Sequence, residues 1–401
     1  MKRVLATAYD VNPYRGSESG TGWNFAVQLA RFNRVTVITR KNNRDEIERY
    51  LKANGTIDNL FFEYFDFIQP ILWIKKLLKF HFIYFNLWQL GVVFKFFSKR
   101  RDFDVFHCIN FHADHVPHFL WILGRSVVWG PVNHSEILPR VLANKFKYHL
   151  LALLNFGMKH FRWNFDPLVR LSVKKSTYII GSTAVVQKRL SIPNEKFVLL
   201  PTIGSKSTTQ SIQFNQPEIL KFLIVGRLVP IKCLHIALHA FRIALSTMDR
   251  SASLVIIGDG PLKKELIELA IELGIITNIE FKGELSHDEV FEEYISATAL
   301  LFPSFEGGGA VVGEALSFGL PVILNKGVGA ADLFPLSYPF LIGRGSSLKD
   351  YIESNANAIN DIARLSNKEY MTISSQMKCI YKTKVNWDSK GEVLRKIYSE
   401  L

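Results

Sequence analysis

Short, almost continuously apolar runs recur along this chain, most of them followed by a helical pattern. They are "RVLATA" (3–8), "RVTVIT" (34–39), "LFFEYF" (60–65), "FDVFHCI" (103–109), "SVVWGP" (126–131), "TYIIG" (177–181) and "FVLLP" (197–201). Strands buried on both faces read as unbroken apolar runs, because helices cover both sides of a parallel sheet. A polar stretch at 204–218, "GSKSTTQSIQFNQPE", then reads as a linker. A second series follows: "KFLIVGR" (221–227), "SLVIIG" (253–258), "NIEFKG" (278–283), "ALLFP" (299–303) and "LPVIL" (320–324). Helices are predicted between them near 233–247, 261–273, 287–296 and 310–318. The expected architecture is α/β, with two Rossmann-like domains at 1–205 and 206–384 and a terminal helix at 385–401. Ligands of open α/β sheets sit outside the carboxyl ends of the strands. Two such domains facing each other would therefore share a cleft.

Charge and cysteine usage narrow the setting. The 401 residues carry a net charge of +13 and only three cysteines, widely spaced. That usage suits a reducing compartment and makes neither a disulfide framework nor a zinc pattern. The opening "MKRVLATAYDVNP" turns polar too soon for a secretory signal. Between Asp66 and Asp102 there is no acidic residue, while lysines and arginines alternate with many aromatic residues. A second basic, aromatic segment, "KFKYHLLALLNFGMKHFRW" (145–163), repeats this character. Neither segment is a clean transmembrane span. Read as a helix, 71–90 lines up Lys75, Lys76, Lys79, Asn86 and Gln89 on one polar stripe. Basic amphipathic helices with Trp and Phe lie flat in a lipid interface, so an anionic membrane surface is the expected partner of 71–101 and 145–163. The plainer reading is two core helices with solvated cations. Nucleic acid is the competing polyanion. It is disfavoured because these cations cluster on apolar segments rather than along a polar groove.

The richest motif is "FPSFEGGGAVVGEALSFGLPV" (302–322). A strand ends, a loop carries Glu306 and three glycines, and a helix starts at Ala310. Gly307, Gly308 and Gly309 thus lie at a helix N-terminus, where backbone amides and the helix dipole favour an anion such as phosphate. Glu314 falls just over one turn into the helix, within reach of a ribose. The alternative is a tight turn with two solvated glutamates, for which one glycine would suffice. "VGRLVPIKCLHIAL" (225–238) repeats the strand–loop–helix layout. Its Arg227 and Lys232 are suited to neutralise a diphosphate. "FHCINFHADH" (106–115) holds three histidines after a strand but no ligand spacing that makes a metal site. "DFD" (102–104) starts a strand, at the wrong end for a ligand. "GSESGTGW" (16–23) is expected to be a glycine-bearing loop before a helix at about Asn24–Arg31. It is not GxGxxG, so a dinucleotide site is disfavoured.

Together, Glu306 and Glu314 with the preceding "PS", the trailing "ALSFGLPVI" and the upstream "GRLVPIK" resemble glycosyltransferase family 4, the group 1 enzymes of the GT-B fold. "GSESGTGW" and "WGPVNHSE" (129–136) are similar to segments of a branch that builds bacterial surface polysaccharides, including lipopolysaccharide and O-antigen. "VNWDSKGEVLRKIY" looks like the helix that returns to the first domain. The resemblance implies a retaining transferase that needs no metal and no cofactor beyond its UDP- or GDP-sugar donor. It implies catalytic roles for Glu306, at the donor sugar, and for His112, with His107 as the alternative. In the donor-binding set it puts Arg227, Lys232, Gly307, Gly308, Gly309, Glu314 at the ribose, Leu285 near the base, and the loop glycines Gly16 and Gly22. Departures from the family pattern are Gly308, Gly313, Cys233, Asn133, His134 and Ser135.

The expected activity is transfer of a sugar to a growing, lipid-linked glycan by a cytoplasmic protein held at the inner face of the plasma membrane. A GT-B nucleotide-sugar epimerase or phosphorylase is the alternative within the fold, and a basic nucleic-acid-binding protein is the alternative outside it.

Overall fold

A computed structural model describes residues 1–15, 17–68, 81–111, 113–124, 126–134, 157–205, 218–306, 308–343, 345 and 347–401. Gly16, His112, Gly307, the linker core and the lysines 75, 76 and 79 lie outside the described residues, as does most of 145–163.

Among the described residues the strands are β1 (Arg3–Thr7), β2 (Arg34–Thr39), β3 (Leu60–Tyr64), β4 (Val105–Cys108), β5 (Val127–Val132), β6 (Tyr178–Gly181), β7 (Phe197–Leu199), β8 (Leu220–Val225), β9 (Ala252–Ile257), β10 (Ile279–Gly283), β11 (Ala299–Phe302), β12 (Val322–Asn325) and β13 (Leu341–Ile342). The α-helices are α1 (Ser17–Ala30), α2 (Arg44–Asn54), α3 (His81–Phe96), α4 (Pro167–Lys175), α5 (Ala184–Arg189), α6 (Leu234–Thr247), α7 (Lys263–Glu272), α8 (His287–Ser296), α9 (Ala310–Phe318), α10 (Leu348–Ala363), α11 (Asn367–Ile380) and α12 (Trp387–Glu400). Residues 157–165 are also helical.

The strands form two separate sheets, ordered β3-β2-β1-β4-β5-β6-β7 and β10-β9-β8-β11-β12-β13. Every pairing is parallel; Val4 lies opposite Val35 and Val105, and Phe222 opposite Leu254 and Ala299. The chain divides into two compact units. The first holds residues 1–135, 154–202 and 387–401; the second is built mainly from 203–386. Both are α/β layers of the kind the apolar runs predict.

Side-chain alternation explains how the first sheet is covered on both faces. Leu5, Ile38, Val127 and Trp129 point into one core with Trp88 and Phe96 of α3. Val4, Ala6, Val35, Val37 and Val128 point into the other, with Phe25 and Ala26 of α1 and Trp387, Leu394 and Tyr398 of α12. The second unit packs around Phe222, Leu254, Leu300 and Ile323. Capping boxes start α8, α10 and α11, each with a serine and an acidic residue three positions on.

One expected loop is a helix. "GSESGTGW" belongs largely to α1, which begins at Ser17, seven residues before the predicted start. Its glycines cost helix propensity, which made the segment read as loop, but packing requires them. A Cβ on Gly22 would lie 2.4 Å from the Asp10 carbonyl oxygen and 2.6 Å from Asn110 Nδ2. The expected polar stripe of 71–90 also needs correction. Gln89 is buried, and its Nε2 donates to the Pro117 carbonyl at 3.2 Å.

α12 packs on α1 within the first unit. Phe25 and Trp387 meet edge to face with centroids 5.7 Å apart, and Arg31 pairs with Asp388 at 3.0 Å. Lys390 is fully buried there, donates to the Pro201 carbonyl and faces the Trp387 ring at 5.6 Å. Burial lowers its pKa from 10.5 to about 7. Between these values the unfolded chain binds a proton that the folded protein does not, so stability rises with pH across that window and is lost as pH falls. Lys390→Met should therefore stabilise the protein at pH 7 by about 1–4 kcal/mol. In urea melts the gain should shrink as the pH approaches 10.

Candidate functional site

In the second unit, two strand–loop–helix turns meet at the carboxyl ends of the neighbouring strands β8 and β11. After β8 the chain turns at Gly226, φ +140°, and leaves Arg227 exposed at the strand end. A 3₁₀ turn, Pro230–Lys232, leads into α6 through Cys233, which has φ 50° and ψ 37°. A left-handed conformation costs a non-glycine residue about 1–2 kcal/mol. Here the cysteine side chain is buried, and burial pushes the thiol up to about 12. Position 233 thus keeps a glycine-type backbone without glycine.

Lys232 reaches across to the second turn. Its Nζ lies 2.5 Å from Glu306 Oε1 and 5.4 Å from the centroid of the Phe302 ring. It also lies beside Gly226, where a Cβ would come within 3.3 Å of Nζ. The Glu306 amide donates to Ser304 Oγ at 3.2 Å. Gly308 faces open space, and Gly309, φ +146°, precedes α9 without any side-chain cap. A Cβ on Gly309 would press on Ala330 and Phe302 at 3.2 Å. The first turn of α9 therefore presents backbone N–H groups next to a lysine, a combination that holds anions.

Glu314, one turn into α9, sits on the other flank. Its Oε2 accepts from the Tyr294 hydroxyl at 3.0 Å, and its Oε1 lies 3.8 Å from His287 Nε2. Burial raises the carboxyl pKa, while the His287 charge and the Tyr294 hydrogen bond pull it back. Tyr294 and His287 were not anticipated. With Phe291 they follow an i, i+4, i+7 spacing on α8, which is the signal that could have found them. Leu285 follows β10 and is half-buried against the core of the second unit.

The first unit gathers polar groups at the carboxyl ends of β1, β4 and β5. Asp114 is buried and accepts from His134 Nδ1 at 2.5 Å and from His115 Nδ1 at 3.4 Å. Burial alone would raise its pKa, but these hydrogen bonds outweigh it and hold the carboxyl down at about 2. The pair joins two motifs, "FHCINFHADH" and "WGPVNHSE", that look unrelated in the sequence. His107, the alternative catalytic residue, has a structural place instead. It is fully buried, with Nδ1 2.8 Å from the Tyr398 hydroxyl and Nε2 2.7 Å from the Gly130 carbonyl oxygen. Burial lowers its pKa to about 4. Gly22 packs inside α1 rather than lining a loop. Among the described residues, no group of three or more His, Cys, Asp or Glu side chains is arranged to hold a metal ion.

Comparison with known proteins bears on the family and the fold. Residues 207–378 match the family model for group 1 glycosyl transferases. Solved structures align over the whole chain at 15% identity. They include HepE of Anabaena in complex with UDP and glucose, TM-score 0.63, and the lipopolysaccharide outer core galactosyltransferase WaaB in its apo form, TM-score 0.65; both are covered completely. The fold is GT-B.

Among curated relatives, the sulfoquinovosyl transferase SQD2 of Arabidopsis thaliana is 31% identical over 170 residues, 41% of this chain. The D-inositol 3-phosphate glycosyltransferase of Streptomyces bingchenggensis is 34% identical over 116 residues, 27% of this chain. The aligned parts span only 31% and 26% of those two proteins' own lengths.

The Asp114 value sets a pH dependence. A carboxyl held at about 2, below its ordinary 3.8, stabilises the fold above the ordinary value and loses that contribution as pH falls through the folded value. The parent should lose melting temperature between pH 4 and pH 2 more steeply than Asp114→Asn. At neutral pH Asp114→Asn should be less stable by on the order of 2 kcal/mol.

Proposed function

We propose that this protein is a retaining glycosyltransferase of family 4 that moves a sugar from a UDP- or GDP-sugar to a glycan acceptor. The observation that carries this reading is the Lys232–Glu306 pair at the uncapped start of α9, within the segment that matches the group 1 family. The difficult part of such a transfer is charge developing on the leaving diphosphate. Positive groups preorganised in a partly dry site stabilise it. Lys232, Arg227 and the backbone amides of Gly308 and Gly309 would supply this charge, so that the reading calls for no metal and no cofactor. Donor binding would draw Lys232 from Glu306 toward phosphate and leave Glu306 to accept from a sugar hydroxyl. Glu314, oriented by Tyr294, would accept from the ribose, and Leu285 would lie near the base. His112 would contact the sugar near the acceptor.

The acceptor in this reading is a lipid-linked glycan of a bacterial surface polysaccharide, used at the cytoplasmic face of the membrane. The first unit supplies the supporting surface. α3 turns Phe82, Ile83, Leu87 and Phe94 outward, Phe94 at 79% exposure, with Lys99 and Arg101 just beyond the helix. The helical residues 157–165 add exposed Met158, Phe161 and Phe165, and the Arg162 guanidinium sits 4.3 Å from the centroid of Phe82. Among the described residues no helix is long and apolar enough to cross a membrane. Apolar side chains rimmed by cations fit peripheral binding to anionic lipid. Cations set beside exposed apolar side chains favour lipid over nucleic acid in this reading.

Thermal stabilisation by nucleotide, turnover of variants and acceptor-dependent nucleotide release test this reading. UDP or GDP at about a hundred times its Kd should stabilise the folded protein by roughly 2.7 kcal/mol, without added divalent metal. Arg227→Ala and Lys232→Ala should each remove most of that shift. Glu306→Gln and His112→Ala should fold normally and lose on the order of a hundredfold in turnover, whereas Glu314→Gln should weaken donor binding. Nucleotide released only in the presence of acceptor separates transfer from epimerisation. An unchanged thermal shift in both cation variants would remove them from the donor site.

For the membrane, the protein should co-sediment with vesicles containing phosphatidylglycerol more than with phosphatidylcholine alone, and less as salt is raised. Changing Lys99, Arg100 and Arg101 to Glu should reduce this while leaving nucleotide binding intact. Indifference to anionic vesicles at low salt would sink the membrane part of the reading.

A further inference from the structure

Phe111, three residues beyond β4, combines features that rarely coincide. Its backbone has φ +64°, and its side chain is 40% exposed. A bulky residue in the left-handed region is strained and persists only when its surroundings hold it there.

The restraints are explicit. The Phe111 amide donates to Glu18 Oε1 at 2.8 Å, and Glu18 Oε2 lies 3.5 Å from Asn133 Nδ2. The preceding residue, Asn110, is buried. Its amide group donates to the backbone carbonyls of Glu18, at 3.2 Å, and of Asp10, and its Oδ1 accepts from the Asp10 amide at 3.4 Å. Three segments, the loop after β1, the first turn of α1 and the turn after β4, are thereby tied together beneath one ring.

That ring rests on a rigid support. Tyr9 packs against Phe111 with centroids 5.0 Å apart, and against Phe85 and Trp88 edge to face at 4.9 and 5.2 Å. The Arg40 guanidinium lies 4.1 Å from the centroid of Tyr9, and Arg40 Nη2 is 3.9 Å from Asp10 Oδ1. Ser19 donates to Asp10 Oδ2 at 2.7 Å. A part-exposed phenylalanine ring, backed by a tyrosine that carries the Arg40–Asp10 pair, matches the chemistry of a pyranose. The sugar's C–H face packs on the ring while its hydroxyls donate to the carboxylate and accept from the guanidinium.

We propose that Phe111 is the stacking platform for a pyranose ring of the acceptor, with Asp10 and Arg40 as its polar rim and Glu18 as the positioning residue. The proposal rests on the glycosyltransferase reading for the word acceptor, but the sugar site itself is tested independently. All its residues lie in the first unit, whereas Arg227, Lys232, Glu306 and Glu314 belong to the second.

The test is saturation-transfer-difference NMR on the full chain, titrated with the methyl glycosides of glucose, galactose, mannose and N-acetylglucosamine. At least one should bind. Phe111→Leu, which keeps bulk without a flat face, should bind it about fivefold to tenfold more weakly, and Phe111→Tyr should bind it normally. Glu18→Ala should lower affinity, and Glu18→Gln, which still accepts from the Phe111 amide, should restore it. A purely structural role would not follow that order of ring shape and amide acceptor. Binding by Phe111→Leu equal to that of the parent overturns the proposal, as does absence of transfer to all four glycosides in the parent. The UDP and GDP thermal shifts, measured on the same samples, should be unchanged in every variant. Glycoside binding without any nucleotide shift would leave the platform standing and remove the transferase reading.

Discussion

Every strand in both sheets runs parallel to its neighbours, and the chemistry of the molecule follows from that. Parallel strands need crossovers, so helices cover both faces and the strands have to be apolar throughout. Polar function is then displaced to the strand ends. All carboxyl ends of one sheet open on the same edge, and the loops that leave them are free to carry charge. The candidate residues of the second unit leave β8, β10 and β11; those of the first leave β1, β4 and β5.

At the edge of the second sheet, a lysine and a glutamate from different turns are held together in partial burial. Such a pair is economical only if its charges have partners, because removing either from water is costly. Lys232 and Glu306 satisfy each other at 2.5 Å and sit beside a helix start that has no side-chain cap. In the proposed reading, phosphate takes the place of the carboxylate at Lys232, and Glu306 turns to a sugar hydroxyl. On the far flank, Tyr294 and His287 hold Glu314 in a more enclosed setting. The two glutamates of the motif therefore differ in surroundings as they differ in proposed role.

Strain marks the turns where the two units carry their candidate residues. Cys233 and Phe111 both occupy left-handed backbone without being glycine, Cys233 in the turn between β8 and α6 and Phe111 in the turn after β4. Cys233 is held by burial of its thiol, Phe111 by the hydrogen bond its amide donates to Glu18 and by those Asn110 donates to neighbouring segments. Local preference would relax both turns; tertiary contacts keep them in place. Asp114 shows part of the same dependence in electrostatics: beside the neighbouring His115, it is His134, twenty residues away, that holds its carboxyl down.

The sequence alone determined the layer class, because a fully buried parallel strand leaves an unmistakable apolar run, and helices covering it repeat at their own period. It also located α9 to the residue, since glycines before an apolar helix and a glycine after it are local signals. Other elements were illegible for physical reasons. α1 was hidden because Gly20 and Gly22 lower helix propensity and are justified only by close approach to Arg15, Asp10 and Asn110. β13 has two residues, too few to show a period. Gln89 looked like part of a polar face, yet its amide is paired with a carbonyl 28 residues away. His107 looked reactive at a strand end, yet the hydroxyl of Tyr398, 291 residues on, occupies one of its nitrogens. Composition and period are properties of neighbouring residues and can be read along the chain. Which lysine meets which glutamate, which histidine is enclosed and which phenylalanine is held outward are settled by contacts between distant segments, and those exist only once the chain has folded.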